Sequence, residues 1–390
     1  MRPLPKLGVG LAFQAPLAPM IEAAGDDLDY IEVVPDILWS DRGPTEAPRY
    51  IDDAERLATL LRVARGRPIV AHGIGMSIGS AGHFDRGHVA QVGRWNRQLG
   101  FPWHSDHLAW HLAASEGGRM NLGITMPLPR DAETLELLEP RIREVQARVA
   151  APFLLENSVY YFDIPDGEMD EPTFLNRLCR TSGCGLVLDL HNLHTNARNH
   201  GFDAFDLLAE LELDHVGELH VAGGMELDGF DLDAHSDTVP DPVWALLERA
   251  LPRCPNVGGL TFELFGPRFD RRHRGARAAG PAAHEGDVAL GRPRPSRRGF
   301  VEAGPPRRTA VGRRVNALAF QTVLARLVVE PDVRDAVRAD AAALPAALTP
   351  IERSPAGAHR GLLEDALAGE LFVPARSARV LRGRGSARRA

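Results

Sequence analysis

The chain alternates between short apolar runs and longer stretches in which apolar residues recur at three- and four-residue spacing. The short runs are typical of buried strands, and there are eight of them: Leu7–Phe13, Tyr30–Val34, Pro68–His72, Phe101–His107, Pro152–Glu156, Gly185–Asp189, Val216–Val221 and Gly258–Leu264. The longer stretches predict helices at Pro16–Ala24, Asp52–Ala64, Phe84–Leu99, Asp131–Val149, Pro172–Arg180, Phe202–Glu210 and Pro240–Leu251. This alternation indicates parallel strands joined by right-handed crossovers.

Eight strands of this kind predict an α/β fold in which the sheet closes into a (β/α)8 TIM-type barrel. A doubly wound open sheet is the main alternative, but no glycine-rich phosphate-binding motif follows the first strand. We therefore assign residues 1–266 to a barrel.

The sequence changes character after Phe265, where the last barrel helix is expected. Residues 267–314 are rich in Arg, Gly and Pro and lack apolar periodicity. We interpret them either as a linker or as a frame-shifted or divergent version of the last helix. Residues 315–375 regain helical periodicity and predict a small C-terminal helical appendage, and residues 376–390 predict a disordered basic tail.

The composition of the 390 residues is that of an ordinary soluble protein, with 44% hydrophobic and 25% charged residues. The net charge of −7 argues against a nucleic-acid-binding surface on the main domain. No apolar span predicts a membrane helix or a secretory signal. Three cysteines without a redox-type or metal-type pairing fit a reducing cytoplasm.

Ionisable side chains stand at or just after the carboxyl ends of six consecutive strands. In a barrel these ends share one mouth, where active sites are built. Each residue alone has a structural explanation, such as a loop cap or a buried ion pair. Their recurrence predicts one shared metal site, with these candidates: His72, His107, Glu156, Asp189, His191, His220, Asp233, His235 and Glu263.

The candidate ligands are imidazoles and carboxylates, without a thiolate. Such a set suits iron, manganese or zinc. It is also larger than one catalytic ion needs, which favours two or three ions bridged by Glu156, Asp189 or Glu263.

An ordered series of motifs extends over residues 5–265. It comprises Gly8-Val9-Gly10-Leu11, Tyr30-Ile31-Glu32, His72-Gly73, Ser105-Asp106-His107-Leu108, Glu156-Asn157, Leu188-Asp189 through Asn196, Asn199 through Asp203, Glu218 through Gly224, Asp233-Ala234-His235, Val239 through Trp244, and Glu263. In this order the motifs resemble those of the multinuclear non-haem iron-dependent oxidative enzymes, the family typified by the oxidase of methanobactin biosynthesis.

The resemblance implies a barrel of the xylose-isomerase type that holds two or three irons in mixed Fe(II)/Fe(III) states. With dioxygen, such enzymes oxidise a ribosomally made precursor peptide, usually at cysteine, and often work with a partner protein that recognises the leader of the precursor. Residues 315–375 would then be a fused remnant of such a partner. The resemblance also implies these metal ligands: His72, His107, Glu156, Asp189, His220, Asp233, His235 and Glu263.

One position departs from the family pattern. The family commonly has an amide where this chain has His191, so this imidazole either binds a third iron or supports a ligand. Glu32 and Asn157 lie at neighbouring strand ends, and we predict catalytic roles for them in orienting the substrate or a ligating imidazole.

Two other functions remain open on sequence grounds. Barrels of the xylose-isomerase and endonuclease-four types cluster similar ligands around zinc or manganese for hydrolysis or isomerisation. The other alternative is a non-catalytic metal-binding or peptide-binding protein descended from such an enzyme. The acidic mouth and the family motifs favour the oxidase.

Overall fold

Eight parallel strands close into a barrel in the computed structural model, which describes residues 3–115, 118–162, 167–227, 229–236, 238–264 and Gln321. The barrel strands, numbered first to eighth in chain order, are Gly8–Phe13, Tyr30–Val33, Ile69–Gly73, His104–His107, Phe153–Glu156, Gly185–Asp189, Val216–Ala222 and Gly259–Glu263. Each pairs with its neighbours in sequence order. The predicted TIM-type barrel is therefore confirmed.

Closure is made by the first strand, which pairs with both the second and the eighth. Gly10 is opposite Tyr30 on one side and opposite Thr261 on the other. All strands consequently run in one direction, and their carboxyl ends meet at one mouth.

Eight helices are assigned within the described residues: α1 Ala18–Ala24, α2 Ala54–Ala64, α3 Arg86–Leu99, α4 Ala132–Arg148, α5 Glu171–Ser182, α6 Leu190–His200, α7 Ala204–Glu210 and α8 Asp241–Ala250. Seven agree with the predicted helices to within a few residues. The sequence analysis missed α6, which follows the sixth strand without an intervening loop. Its three histidines and three asparagines hide the apolar periodicity that marks the other helices.

Three antiparallel hairpins were also not predicted. They pair Trp39–Asp41 with Tyr50–Asp52, Trp110–Ser115 with Gly118–Met126, and Met225–Leu227 with Phe230–Leu232. They follow the second, fourth and seventh barrel strands and therefore extend the mouth of the barrel. Short strands of mixed polarity between glycine-containing turns carry too weak a pattern to distinguish them from loops.

Aspartate starts most of the helices. Its carboxylate accepts hydrogen bonds from otherwise unpaired backbone N–H groups of the first turn, where negative charge is also favourable. The capping residues are Asp53, Asp85, Asp131, Asp170, Asp189 and Asp203, for α2 to α7 in order. One of them, Asp189, is also a predicted metal ligand, so the start of α6 and the site are built from the same side chain.

The hydrophobic core has two parts. The larger cluster fills the space between the strands and the helices around them. A smaller cluster, called here the lower plug, fills the barrel interior at the amino ends of the strands and consists of Leu4, Tyr30, Val70, Trp103, Leu154 and Val187. The plug closes the barrel below the mouth, as interior side-chain layers do in this fold.

Beyond Leu264 the structure describes only Gln321. Its side chain is 2% exposed, accepts a hydrogen bond from the Ala81 N–H at 2.6 Å and donates one to the Gly79 carbonyl at 2.8 Å. The predictions for residues 267–314, 315–375 and 376–390 otherwise lie outside the described residues. Within the described part, no helix is long and apolar enough to cross a membrane.

We predict that Asp85→Ala lowers the free energy of unfolding by about 2 kcal/mol, the upper end of the range for loss of a helix cap. Asp85 caps α3 through the N–H groups of Gly87 and His88 and also accepts from Arg49 at 2.9 Å. Burial raises the pKa of Asp85, but the hydrogen bonds from Arg49 and from the helix N-terminus outweigh it and lower the pKa to about 2.

The unfolded-state pKa of an aspartate is about 3.9. The stabilisation by Asp85 is therefore complete above pH 4 and is lost as the pH falls towards 2. Urea denaturation at pH 7 and at pH 2.5 measures both effects. Asp53→Ala, which removes the more exposed cap of α2, is the matched control and should cost about 1 kcal/mol. Equal losses in the two variants at pH 7 would show that Arg49 adds nothing.

Candidate metal centre

The carboxyl ends of the barrel strands deliver a set of buried ligand side chains to the mouth. Strand residues alternate between the barrel interior and the helix layer, so the apolar neighbours pack outward while the ligands point inward. Among the described residues, three compact groups have ligand atoms within 4.8 Å of one another: Glu32, His72 and His220; His72, His107 and Glu156; and Glu156, Asp189, His220 and Glu263.

The second of these groups joins the third, fourth and fifth strands. Oε2 of Glu156 lies 3.0 Å from Nε2 of His72 and 3.2 Å from Nδ1 of His107. The two imidazoles also face each other, with their Nε2 atoms 3.2 Å apart. The other ring nitrogen of His72 contacts the Ser105 hydroxyl at 2.8 Å, which leaves Nε2 directed into the group.

The third group joins the fifth, sixth, seventh and eighth strands, and all four of its side chains are buried. One oxygen of Asp189 accepts from the Asn192 N–H at 2.6 Å, whereas Oδ2 has no hydrogen-bond partner. Nδ1 of His220 is also without one and lies 3.4 Å from Oε2 of Glu263. Glu156 belongs to this group and to the preceding one, so its carboxylate can bridge two ions.

Glu32 reaches the site from the second strand. Its Oε2 lies 3.1 Å from Nε2 of His220, and its Oε1 has no hydrogen-bond partner. The side chain is 1% exposed. Burial raises the pKa of Glu32 to about 7, although His220 opposes the shift.

His235 and Asp233 lie beside the compact groups, on the segment after the seventh strand. Nε2 of His235 is 2.9 Å from Oε2 of Glu263, and Nδ1 is 3.4 Å from Oδ1 of Asp233. His235 has a φ of 45°, in the left-handed region that such a residue seldom adopts. Local strain of this kind is commonly held in place at functional sites.

His191 occupies the first turns of α6 and is 3% exposed. Its Nε2 lies 3.5 Å from the Thr195 hydroxyl and 4.0 Å from Oδ1 of Asp233, and its Nδ1 has no hydrogen-bond partner. Burial lowers the pKa of His191 to about 4, so the imidazole is neutral and able to accept a metal ion. It is outside the three compact groups, as are Asp233 and His235, and the ligand roles of all nine candidates remain predictions.

Asn157 clamps the backbone of the sixth strand. The side-chain amide nitrogen of Asn157 donates to the backbone carbonyl of Asp189 at 3.0 Å. The side-chain oxygen of Asn157 accepts from the backbone N–H of Asp189 at 2.8 Å. This places Asn157 beside the ligands and fixes the end of the strand that carries one of them.

The sequence analysis assigned no role to Asn192, which holds the other oxygen of Glu156. The side-chain amide of Asn192 donates to Oε1 of Glu156 at 3.0 Å and to the backbone carbonyl of Asn157 at 3.1 Å. A signal was present, because Asn192 stands three residues after the strand-end Asp189, the position that an aspartate cap contacts in a following helix. Because the sequence analysis did not predict α6, the spacing between Asp189 and Asn192 could not be recognised as that of a helix cap.

The electrostatics of the site are those of buried ionisable groups that lie close together. Burial lowers the pKa of His72, but Glu156 and Glu32 outweigh it and raise the pKa to about 10. Burial also lowers the pKa of His235, but Asp233 and Glu263 outweigh this effect and raise the pKa to about 10. Burial, with Glu156 and Glu263 nearby, raises the pKa of Asp189 well above its usual range. Protons on these groups neutralise charge that bound metal would otherwise neutralise.

The residues fit metal ions of the kind that imidazole and carboxylate bind. Several buried ligand atoms lack hydrogen-bond partners, namely Oε1 of Glu32, Oε2 of Glu156, Oδ2 of Asp189, Nδ1 of His220 and Oδ1 of Asp233. Native proteins leave few such atoms unsatisfied unless something binds them. No cysteine belongs to the compact groups, which is typical of iron, manganese or zinc sites rather than structural zinc.

Comparison with known proteins gives a family for this chain. A family model described as RiPP precursor modification enzyme MbnB/TglH/ChrH matches residues 8–263. A UPF0276 protein of Chromobacterium violaceum is 33% identical over 223 residues, which cover 57% of this chain and 78% of that protein. Another, of Rhizorhabdus wittichii, is 35% identical over 235 residues, 60% of this chain and 78% of that protein.

Among solved structures, the chain is similar to endonuclease IV from Thermus thermophilus, with 15% identity and a TM-score of 0.40 over 70% of this chain and 98% of that one. It is also similar to D-psicose 3-epimerase from Clostridium cellulolyticum, with 13% identity and a TM-score of 0.43 over 70% and 92%. At these identities the likeness concerns the fold alone.

We predict that Asp189→Asn makes the metal-free protein more stable at pH 7 by about 1 kcal/mol or more. A carboxyl whose folded-state pKa is raised destabilises the fold as the pH rises above about 4, its unfolded-state value. Asparagine removes that charge but keeps an oxygen to accept from the Asn192 N–H.

Urea denaturation of chelator-treated protein at pH 5 and pH 8 measures this effect, and the advantage of the variant should grow with pH. The control is Asp203→Asn, the same change at the cap of α7 on the surface. A variant that is less stable than the wild type at both pH values would contradict the electrostatic account of the site.

Proposed function

Since this chain belongs to the family of enzymes that modify precursors of ribosomally synthesised and post-translationally modified peptides, we propose that it is an iron-dependent oxidase. Its substrate would be cysteine in a ribosomal precursor peptide, and its co-substrate dioxygen. The observation that carries the proposal is the convergence of buried imidazoles and carboxylates, several of whose atoms lack a hydrogen-bond partner.

The two groups that share Glu156 would hold the metal. His72 and His107 would bind one ion with Glu156, and Asp189, His220 and Glu263 would bind a second with the same carboxylate. Asp233, His235 and His191 would complete the shell or hold a third ion. Bound iron, in mixed Fe(II)/Fe(III) states, would supply the coordination of substrate thiolate and the reduction of dioxygen.

The protein's own residues prepare the site for this chemistry. Asn157 holds the Asp189 backbone by two hydrogen bonds, and Asn192 donates one to the Glu156 carboxylate. Such fixed ligands keep positions open for substrate because the carboxylates cannot swing to fill them. Burial of Glu156, Asp189 and His220 limits the access of bulk water, which protects reactive species from side reactions.

A cleft beside the site suits a peptide side chain. It is small, with a cavity volume of about 50 Å³, and begins next to Leu108 and Asn157, the residues that follow His107 and Glu156 in the sequence. Apolar side chains such as Phe174 line it, and Arg130 stands 3.6 Å from Glu171 in its wall. An apolar floor with a few polar groups is the usual composition of a ligand pocket.

The proposal extends to the setting of the reaction. The enzyme would act in the cytoplasm, where its cysteines stay reduced and precursor peptides are made. A partner protein would recognise the leader of the precursor, or residues 315–375 would do so within this chain.

We predict that protein loaded with Fe(II) consumes dioxygen in the presence of its precursor peptide and changes the mass of that peptide at cysteine. The probe is a synthetic peptide encoded by a short cysteine-rich reading frame beside the gene. Glu156→Gln should lower the rate at least 100-fold, because it removes the shared ligand. Glu144→Gln, at a surface ion pair of α4, is the matched control and should leave the rate unchanged.

Oxygen electrode traces and peptide mass spectra measure the outcome. Product that forms without dioxygen, with zinc or manganese in place of iron, would contradict the proposal and favour hydrolysis or isomerisation. Iron-loaded protein that leaves the peptide and the oxygen level unchanged would favour a non-catalytic descendant.

A further inference from the structure

Glu218 is a buried carboxylate that the proposed function does not use. It stands on the seventh strand two residues before His220, so both side chains point into the barrel. Its exposure is 0%, and it lies against the lower plug. A carboxylate in such surroundings is costly unless its oxygens are bound. The presence of Glu218 in the barrel interior therefore requires an explanation.

Three neutral donors hold this carboxylate. Trp103 donates its indole N–H to Oε2 at 2.6 Å, Tyr30 donates its hydroxyl to Oε1 at 3.1 Å, and Thr261 donates to Oε1 at 2.8 Å. The Glu218 carboxylate is therefore fixed by three donors, and among the described residues no lysine or arginine forms an ion pair with it. Its negative charge is available to act on the neighbouring side chain of the seventh strand.

Space for this arrangement is provided by two glycines. A Cβ at Gly259 would stand 2.5 Å from the Tyr30 hydroxyl, and one at Gly10 would run into the Tyr30 ring. Both glycines lie on strands that flank or face Tyr30 at the closure of the barrel. Only because they lack side chains can the tyrosine lie across the interior and reach Glu218.

The group above Glu218 is the imidazole of His220. Nε2 of this ring lies 3.7 Å from Oε1 of Glu218 and 3.1 Å from Oε2 of Glu32. Nδ1 points the other way, towards Glu263 at 3.4 Å. Two carboxylates on the Nε2 side favour a proton on that nitrogen, which leaves the lone pair of Nδ1 for a metal ion.

We propose that Glu218 is a positioning residue, which together with Glu32 keeps the N–H of His220 on Nε2 and presents Nδ1 to the metal centre. The network of Trp103, Tyr30 and Thr261 holds Glu218 in place for this task. The inference rests on the proposed function in one respect, the binding of metal by His220, and requires neither oxidation nor a peptide.

The same arrangement around His220 specifies a role for Glu32, for which the sequence analysis predicted a catalytic function. Thr261 links the two carboxylates, since its hydroxyl is 2.8 Å from Glu218 and 3.4 Å from Glu32. In this arrangement Glu32 acts through His220 and is not itself a ligand. The first compact group would then be held together by hydrogen bonding, and the metal would lie on the other side of the ring.

Anaerobic titration of the metal-free protein with Fe(II) tests the proposal. Glu218→Gln should weaken the affinity about 10-fold, the lower end of the range for losing support of a ligating histidine, because Glu32 still contacts Nε2 at 3.1 Å. Tyr30→Phe removes one donor from Glu218 and should weaken the Fe(II) affinity by a smaller factor. This variant tests the same proposal if Glu218→Gln fails to fold. Leu154→Ala, in the same plug, is the matched control, with lower stability but unchanged Fe(II) affinity.

The position of the proton is a readout that a merely structural role would not change. In protein labelled with ¹⁵N-histidine and loaded with zinc, the His220 resonances should show a proton on Nε2 and metal on Nδ1. The Glu218→Gln spectrum should lose that slowly exchanging proton. Wild-type-like Fe(II) affinity in Glu218→Gln, or metal on Nε2 in the wild type, would overturn the inference. Wild-type protein that binds metal but oxidises no peptide would overturn only the proposed function.

Discussion

Removal of many ionisable side chains from water at one point is the constraint on which the rest of this protein depends. The imidazoles and carboxylates at the mouth of the barrel have too few hydrogen-bond donors among them, and their charges oppose one another. A cluster of this kind is unfavourable in an empty protein, because buried charge must be paired or neutralised. Metal ions resolve both problems, since one cation satisfies several ligand atoms and cancels their charge.

The surrounding structure keeps this unfavourable cluster from relaxing. Asp189 ends one strand and caps the helix that follows, so it cannot move without loss of the first turn of α6. Asn157 clamps the same backbone, and Asn192 holds the oxygen of Glu156 that faces away from His72. Below the mouth, Glu218 and the three side chains that bind it would support His220. Ligands, helix caps and interior packing are thus parts of one preorganised unit.

The barrel could be predicted from the sequence because its strands are continuous apolar runs that end in ionisable residues. The same regularity indicated that the candidate ligands from His72 to Glu263 come together, since parallel strands bring their ends to one mouth. Helix α6 could not be predicted in this way, because polar residues such as His191, Asn192 and Asn196 share its buried face with Leu190, Leu193 and Ala197. Asn192 and Glu218 were missed as supports, since their roles depend on partners more than 30 positions away in the chain. Such contacts leave no periodic signal.

The most direct measurement is the metal content of freshly purified protein, by elemental analysis, in the wild type and in Glu156→Ala. The account predicts two or more iron ions per wild-type chain and their loss in the variant, because Glu156 belongs to both groups that would hold them. The variant should remain folded by circular dichroism, so that the loss reports on the ligand. A folded wild-type protein that contains no metal and takes up none, or a variant that keeps its full complement, would contradict the account.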